Sequence, residues 1–300
     1  MSVVETKKLT KAYGTHKALD DFSVTIQENT ITGLIGRNGA GKTTLLKILS
    51  GFWRGTSGGV KVFDKNPFND LTVATNSIFI DDRLSFPTSI TIGDILQEAN
   101  RFYPNWDIRL AERLFDYFSF HPDATHNSLS KGKKSTFNMI IGLASHCPLT
   151  MFDEPTTGMD AAVRKDFYRA LLKDYIAHPR TIILSSHHLE EVEDLLEDVL
   201  LIKDGKKHLH VSIDELKEYA VGLTGKSALV EQWVHDKEVL YSERIGPDNS
   251  YIVIKNNVET TKAARLGIEV SSVSSSDVCV YLTNKTTGGI DDVFNTPSSI

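Results

Sequence analysis

The fold is decided by the stretch Gly36-Arg37-Asn38-Gly39-Ala40-Gly41-Lys42-Thr43-Thr44. It lies between the apolar run Ile31–Ile35, which predicts a buried strand, and Leu45–Leu49, which has the character of a helix. The spacing Gly-x4-Gly-Lys-Thr lets the backbone close around a polyphosphate, with several N–H groups directed inward at the positive end of the helix. We interpret the stretch as a phosphate-binding loop. A tight glycine turn with a solvated lysine is the structural alternative.

The side chains of this loop have separate predicted roles toward a triphosphate. Lys42 would reach the β- and γ-phosphates, the Thr43 hydroxyl would ligate Mg²⁺, and Thr44 would lie near the α-phosphate. Side chains at the glycine positions would block the close approach of the backbone. The loop therefore predicts binding of a triphosphate together with Mg²⁺.

Composition limits the class of protein. The chain has 300 residues, of which 40% are hydrophobic, enough for one full α/β domain and a smaller second domain. Its formal net charge of -6 argues against a general nucleic-acid binder. Cys147 and Cys279 show neither metal-ligand spacing nor a disulfide framework, which fits a reducing cytoplasm. Because no run approaches about 18 uninterrupted apolar residues and the start lacks the apolar core of a signal peptide, we expect any membrane role to need a partner chain.

Two regions of different periodicity flank the loop. The alternation from Val3 to Ile26 predicts short antiparallel strands, and Tyr13 at a strand end either stacks on an adenine ring or is an ordinary strand-end tyrosine. Apolar residues from Ile90 to Phe120 recur at helical spacing, which predicts a helical subdomain inserted in the α/β core over about residues 84–145. Its apolar face serves either packing or the docking of another subunit.

Two later strands end in polar residues. The apolar strand Leu149–Asp153 is followed by Glu154, and a second buried strand ends at His187 and His188. Ligands bind at this edge of a parallel sheet. We expect Asp153 to hold Mg²⁺ through water and Glu154 to take the proton of a water that attacks the γ-phosphate. His187 is the predicted γ-phosphate contact, and His188 is predicted to be a structural residue. For Asp153 and Glu154 the alternative interpretation is ordinary surface charge.

A second helix start carries basic residues. Ser130 occupies an N-cap position, and Lys131 and Gly132 follow it. A helix N-terminus, a glycine N–H and lysine together can bind an anion. Read alone, the pattern is equally typical of an ordinary capped basic helix.

The character of the chain changes after about Val211. Short apolar runs such as Ala228–Val230 and Val278–Leu282 predict strands, and a helix is expected over 258–266. No cluster of chemistry-bearing residues stands out there. We predict a large domain over 1–211 and a small α+β domain over 212–300.

The order and spacing of these motifs resemble the ATP-binding subunits of bacterial ABC transporters of the exporter type, over roughly residues 2–210. The resemblance implies an α/β fold, a P-loop NTPase core with an antiparallel β subdomain and an inserted helical subdomain, which binds ATP and Mg²⁺ as an ATPase. Each motif matches one element of the family. The matches are Tyr13 with the A-loop aromatic, Gly36 to Thr43 with Walker A, Leu129 to Lys133 with the signature motif, Asp153-Glu154 with Walker B and its catalytic glutamate, Gly158-Met159-Asp160 with the D-loop, and Ser186-His187 with the H-loop histidine.

The resemblance also implies partners. In such proteins the signature motif completes the nucleotide site of a second copy, so Ser130, Lys131, Gly132 and Asp160 are implied to bind nucleotide across a head-to-tail pair of identical or different chains. A separate membrane permease would hold the chain at the cytoplasmic face of the membrane. The tail resembles the accessory domain of ATPases that serve bacterial drug, antibiotic-resistance and peptide exporters.

Two departures from the family pattern leave alternatives open. The position of the Q-loop glutamine holds Asp81, a carboxylate that can still contact the metal, and the signature carries Lys131 and Lys133 in place of its second glycine and final glutamine. A catalytically weak subunit beside a competent paralogue is therefore a second hypothesis. A soluble ABC-type ATPase acting on nucleic acid or ribosomes is a third, disfavoured by the single cassette, the short insert and the negative charge.

Overall fold

The computed structural model describes residues 1–256 and 260–284. Residues 285–300 of the predicted small domain, and the first residues of the helix expected over 258–266, lie outside the described residues. The described strands are β1 Ser2–Tyr13, β2 His16–Gln27, β3 Ile31–Ile35, β4 Ser57–Val62, β5 Ser77–Ile80, β6 Leu149–Asp153, β7 Thr181–Ser186, β8 Asp198–Lys203, β9 Lys206–Ser212, β10 Ala220–Lys226, β11 Val239–Ile245, β12 Asn249–Lys255 and β13 Glu269–Ser272. The described α-helices are α1 Lys42–Leu49, α2 Leu71–Asn76, α3 Ile92–Phe102, α4 Ile108–Tyr117, α5 Lys131–Ala144, α6 Ala161–Ala177, α7 Ile213–Lys217, α8 Ser227–Val234, α9 Thr260–Arg265 and α10 Ser275–Thr283.

A six-stranded sheet in the order β5-β6-β7-β3-β8-β9 forms the centre of the first unit, Met1–His210. Strands β5, β6, β7, β3 and β8 pair in parallel. Every residue of β3, β6 and β7 is buried, as expected for parallel strands covered on both faces. Parallel pairing brings the carboxyl ends of these three strands to one edge, so the phosphate-loop stretch, the acidic pair and the histidine pair follow adjacent strands.

A second sheet, antiparallel in the order β2-β1-β4, packs on the same core. Its buried residues Phe22 and Ile26 belong to one hydrophobic cluster with Leu45 and Leu46 of α1 and Leu200 of β8. The cluster therefore fixes the start of α1 against both sheets. The antiparallel strands predicted before the loop are confirmed.

The helical insert follows β5 and contains α3, α4 and α5. Its helix starts are set by side-chain caps that sequence alone specifies: Thr91 and Asp94 form a reciprocal capping box, Asp107 caps α4, and Ser130 caps α5. Phe137 of α5 is fully buried, and it packs edge-on against neighbouring aromatic rings. The mixed α/β fold with an inserted helical part is as predicted.

The second unit begins at Val211. It holds an antiparallel sheet in the order β11-β12-β10-β13 and the helices α7 to α10. Two strand predictions are wrong here: Ala228–Val230 lies in α8 and Val278–Leu282 lies in α10. A short apolar run fits a buried helix face as well as a strand, because only contacts distant in sequence decide between the two. No helix in the two described ranges is both long enough and apolar enough to cross a bilayer.

Candidate functional site

The glycine-rich stretch forms a tight loop between β3 and α1. Gly41, immediately before α1, has φ 112°, in the left-handed region that glycine adopts without strain. A Cβ atom at Gly41 would lie 2.5 Å from the carbonyl oxygen of Ala18, and one at Gly36 would lie 2.5 Å from that of Ile202. Glycine is therefore sterically required at both ends of the loop, which leaves its backbone free to surround a phosphate chain.

Lys42 folds back over this loop. Its ammonium is buried and donates to the carbonyl oxygen of Gly36 at 2.6 Å, and it lies 3.2 Å from Oε1 of Glu154. The cation is thus held at the centre of the loop and faces the carboxylate at the end of β6. A phosphate oxygen entering the loop would compete with Glu154 for this ammonium.

Thr43 and Asp153 meet beside the loop. The Thr43 hydroxyl donates to Oδ2 of Asp153 at 2.6 Å, and the Ser185 hydroxyl donates to Oδ1 of the same carboxylate at 2.6 Å. One hydroxyl and one carboxylate are hard oxygen ligands of the kind that Mg²⁺ takes beside phosphates and water, so the donor set fits that ion. Ser185 was not predicted. Its only sequence signal is a hydroxyl inside a buried apolar strand, and only the register Asp153↔Ser185 shows what it bonds.

Glu154 and His187 form the next contact. Glu154 adopts φ 49°, unusual for a residue with a side chain, and its backbone N–H donates to the Ser185 hydroxyl at 3.0 Å. Its Oε2 lies 2.7 Å from Nδ1 of His187. His188 lies instead 3.6 Å from the carboxylate of Glu190. The structure thus brings His187, and not His188, against Glu154.

A cavity of about 300 Å³ opens beside the loop. Tyr13 lies at its wall and is 47% exposed, and Thr44 lines the same cavity. Partial burial of the phenol raises its pKa, and the Thr44 side chain lowers it by less. His16, which the sequence did not single out, also lines the cavity. An accessible aromatic face next to the phosphate loop is the arrangement that stacking on a purine requires.

Replacing Tyr13 tests this arrangement. We expect Tyr13→Ala to weaken binding of ATP by about three- to tenfold, because an aromatic stack contributes on the order of 1 kcal/mol. Tyr13→Phe should keep most of the affinity, since it retains the ring and loses only the hydroxyl. Titration of both variants with a fluorescent ATP analogue measures the difference; equal affinities for Ala and Phe would reject stacking.

The predicted signature and D-loop residues have local roles. The Ser130 hydroxyl accepts from the N–H of Lys133 at 3.4 Å, and Asp160 caps α6. A Cβ at Gly132 would lie 2.5 Å from the carbonyl oxygen of Gly158, so the first turn of α5 touches the loop before α6 through backbone. Lys133 donates to the carbonyl oxygen of Phe118, and its ammonium lies 4.7 Å from the Phe120 ring. The lysine contacts hold the start of α5 against the segment that follows α4.

The same residues do not join the cavity beside the phosphate loop. Among the described residues that line it, none comes from the Ser130–Lys133 segment or is Asp160. The structure therefore gathers the A-loop, Walker A, Walker B and histidine residues and leaves the signature segment apart. Whether these residues bind nucleotide stays a prediction.

Asp81 follows β5 and contacts a lysine. Its Oδ2 lies 3.5 Å from the ammonium of Lys47, which also lies 5.0 Å from the Trp53 ring. This ion pair occupies one carboxylate oxygen of Asp81. Its predicted metal contact stays a prediction.

Comparison with known proteins agrees with this geometry. A family model described as ABC transporter matches residues 19–157. The chain is 29% identical over 221 residues to the ABC transporter ATP-binding protein YtrB of Bacillus subtilis, covering 72% of this chain and 74% of that protein. The chain therefore contains an ABC transporter ATP-binding domain. It is also 28% identical over 251 residues to the bacitracin transport ATP-binding protein BcrA of Bacillus licheniformis, covering 79% of this chain and 82% of that protein.

Solved structures support the same fold for this ABC protein. An ATP-binding subunit of an ABC transporter superposes with a TM-score of 0.65 at 21% identity, over 72% of this chain and 92% of that one. A dimeric post-hydrolysis state of the cassette MJ0796 bound to ADP and Pi superposes with a TM-score of 0.61 at 19% identity, over 70% of this chain and 98% of that one. At these identities the structures establish the fold, while the match to the ABC transporter family identifies the ATP-binding domain of an ABC-type ATPase.

Proposed function

We propose that this chain is the ATP-hydrolysing subunit that powers export of a drug or peptide through a separate membrane permease. The observation that carries the proposal is the contact network of Lys42, Glu154 and His187 beside the Thr43–Asp153 pair. Similarity to a bacitracin transport protein supports a drug or peptide as cargo. The cargo itself would be chosen by the permease.

The proposed chemistry uses residues already in contact. Lys42 binds the γ-phosphate, which releases Glu154 from its ion pair with that ammonium. The freed carboxylate then takes the proton of a water aligned with the γ-phosphate, and His187 orients Glu154 through Nδ1 and contacts the phosphate. Thr43 and Asp153 would hold Mg²⁺, which when bound supplies charge neutralisation on the phosphates.

We further propose that a second copy, or a related chain, completes the site. The signature residues Ser130, Lys131 and Gly132 lie at a helix N-terminus that favours an anion, yet they stay outside the cavity that holds Lys42. A partner facing head to tail would place its own signature helix over this cavity. ATP then joins two chains, and its cleavage weakens the contact between them.

The permease would dock against the helical insert. An apolar groove of about 490 Å³ lies between β5 and α3, and Phe102 at the end of α3 is 71% exposed. Exposed apolar surface of this kind is typical of a contact with another protein. The lining residues are Ala74, Thr75, Ile78, Phe79, Ile80, Leu84, Phe86, Ile90, Ile95, Glu98, Ala99, Phe102, Tyr103 and Ile141.

Isolation from native membranes tests this assignment. We expect the tagged chain to carry a polytopic membrane protein with it, and Phe102→Asp to reduce the recovered amount at least about fivefold, because a carboxylate would be desolvated in an apolar contact. Leu71→Asp is the matched control, since Leu71 is 82% exposed on α2 and lies outside the groove.

The rate of ATP hydrolysis with and without the recovered partner separates the hypotheses. A rise on addition of the permease supports the proposed exporter subunit. A rate that stays near background until a second, different ATPase chain is added supports the catalytically weak subunit. Recovery of nucleic acid or ribosomes without a membrane protein would overturn the transport assignment.

A further inference from the structure

Two histidines and an aspartate converge at the edge of the central sheet opposite the phosphate loop. His146 lies between α5 and β6, Asp174 is in the last turn of α6, and His178 follows that helix. The parallel strands β6 and β7 begin at this edge of the sheet and end at the opposite edge, where Glu154 and His187 follow them. The two edges are one strand length apart, on the order of 15 Å. The cluster is therefore separate from the ATP site.

Each of the three side chains has one possible ligand atom close to those of the other two. Oδ1 of Asp174 lies 2.9 Å from Nε2 of His146 and 3.3 Å from Nδ1 of His178. All three atoms lie within 4.8 Å of one another. Tetrahedral zinc has bonds of about 2.0–2.1 Å to nitrogen, so its ligand atoms are about 3.4 Å apart. Small side-chain rotations would therefore bring these atoms to coordination distance.

A buried arginine holds the carboxylate in place. The Arg180 guanidinium is 4% exposed and lies 2.8 Å from Oδ2 of Asp174, which leaves Oδ1 to the two histidines. An outer partner that fixes a ligating carboxylate is a regular feature of metal sites.

The chemistry of the three groups selects the class of ion. Two imidazoles and one carboxylate suit borderline divalent metals such as Zn²⁺, whereas Mg²⁺ prefers oxygen ligands alone. The His178 side chain is 56% exposed, which gives an entry path and leaves a fourth position for water. We propose that His146, Asp174 and His178 form a Zn²⁺-class site that ties the end of α6 to the segment before β6.

Metal titration of the full chain without nucleotide tests the proposal. After treatment with a chelator, Zn²⁺ is added in competition with a chromophoric indicator, with Mg²⁺ as the metal control. We expect one equivalent of Zn²⁺ bound at this site and a rise in the thermal unfolding midpoint, because an ion that binds only the folded chain stabilises it. Co²⁺ in its place should give the visible absorption bands of a four-coordinate site.

Single substitutions locate the bound ion. His178→Ala should weaken Zn²⁺ binding at least about tenfold. Loss of an outer-shell partner weakens metal binding by about 10- to 100-fold, and a direct ligand contributes more than such a partner. His178 is largely exposed, so this variant tests binding without loss of the fold; His146→Gln should act in the same direction. His121→Ala is the control, because His121 is exposed and lies beside Asp123 in the helical insert. If Zn²⁺ does not bind, or binds equally to wild type, His178→Ala and His146→Gln, the cluster is a hydrogen-bonded network only and the proposal is wrong.

Discussion

Glu154→Gln reduces ATP turnover by at least about 100-fold and leaves ATP binding intact. A general base contributes about 10²–10⁴ to the rate, and an amide cannot accept the proton. In the wild type, the Glu154 carboxylate lies 3.2 Å from the Lys42 ammonium and competes with the γ-phosphate for it. Binding persists in the variant because the uncharged amide competes less. With hydrolysis blocked, the proposed ATP-joined pair should accumulate.

Two measurements check this variant. Phosphate release gives the turnover, and size-exclusion chromatography with light scattering in Mg-ATP gives the oligomeric state. Glu190→Gln is the matched control, since Glu190 lies near His188 at the same sheet edge and should leave turnover unchanged. Normal turnover in Glu154→Gln would show that another group is the base, and a monomer in Mg-ATP would argue against the pair.

Lys42→Ala removes the main charge contact to the phosphates. We expect ATP affinity to fall at least about 30-fold, because truncating one member of a buried, hydrogen-bonded charge pair costs about 2–5 kcal/mol. The Lys42 ammonium bonds the Gly36 carbonyl inside the loop, and among the described residues that line the cavity there is no second lysine to replace it.

Equilibrium binding of a fluorescent ATP analogue measures the effect. Lys7→Ala is the control, since Lys7 is an exposed lysine of β1 that pairs with Glu5. Circular dichroism of Lys42→Ala separates loss of binding from loss of fold. Unchanged affinity in a folded Lys42→Ala protein would reject the phosphate-loop assignment.

The parts that sequence predicted are those with local causes. The loop from Gly36 to Lys42 is recognised from the spacing of its glycines and its lysine within seven residues. The helix cap Ser130 bonds an N–H group only three residues away. Both features depend on the spacing of residue types over a few positions, so they can be recognised without knowledge of distant contacts.

Other features depend on which segments meet. The hydroxyl of Ser185 orients Asp153 only because β6 and β7 pair in one register. The contact between Glu154 and His187 likewise joins residues that follow these two strands. The sequence predicted the acid and the histidine but not the bonds between them. The residue types of the site can therefore be predicted from the sequence, whereas their positions and contacts depend on how the strands of the sheet pair.

Sequence by itself determined the phosphate loop, the N-cap of α5, the α/β class and the family of the ATP-binding domain, because each rests on periodicity or on spacing over a few residues. Only the tertiary structure decided that Ala228–Val230 and Val278–Leu282 are helical, and that His146, Asp174 and His178 converge. Short apolar runs fit either secondary structure until neighbours cover one face. Likewise, ligand atoms from segments about 30 residues apart meet only where sheet and helix packing set their positions.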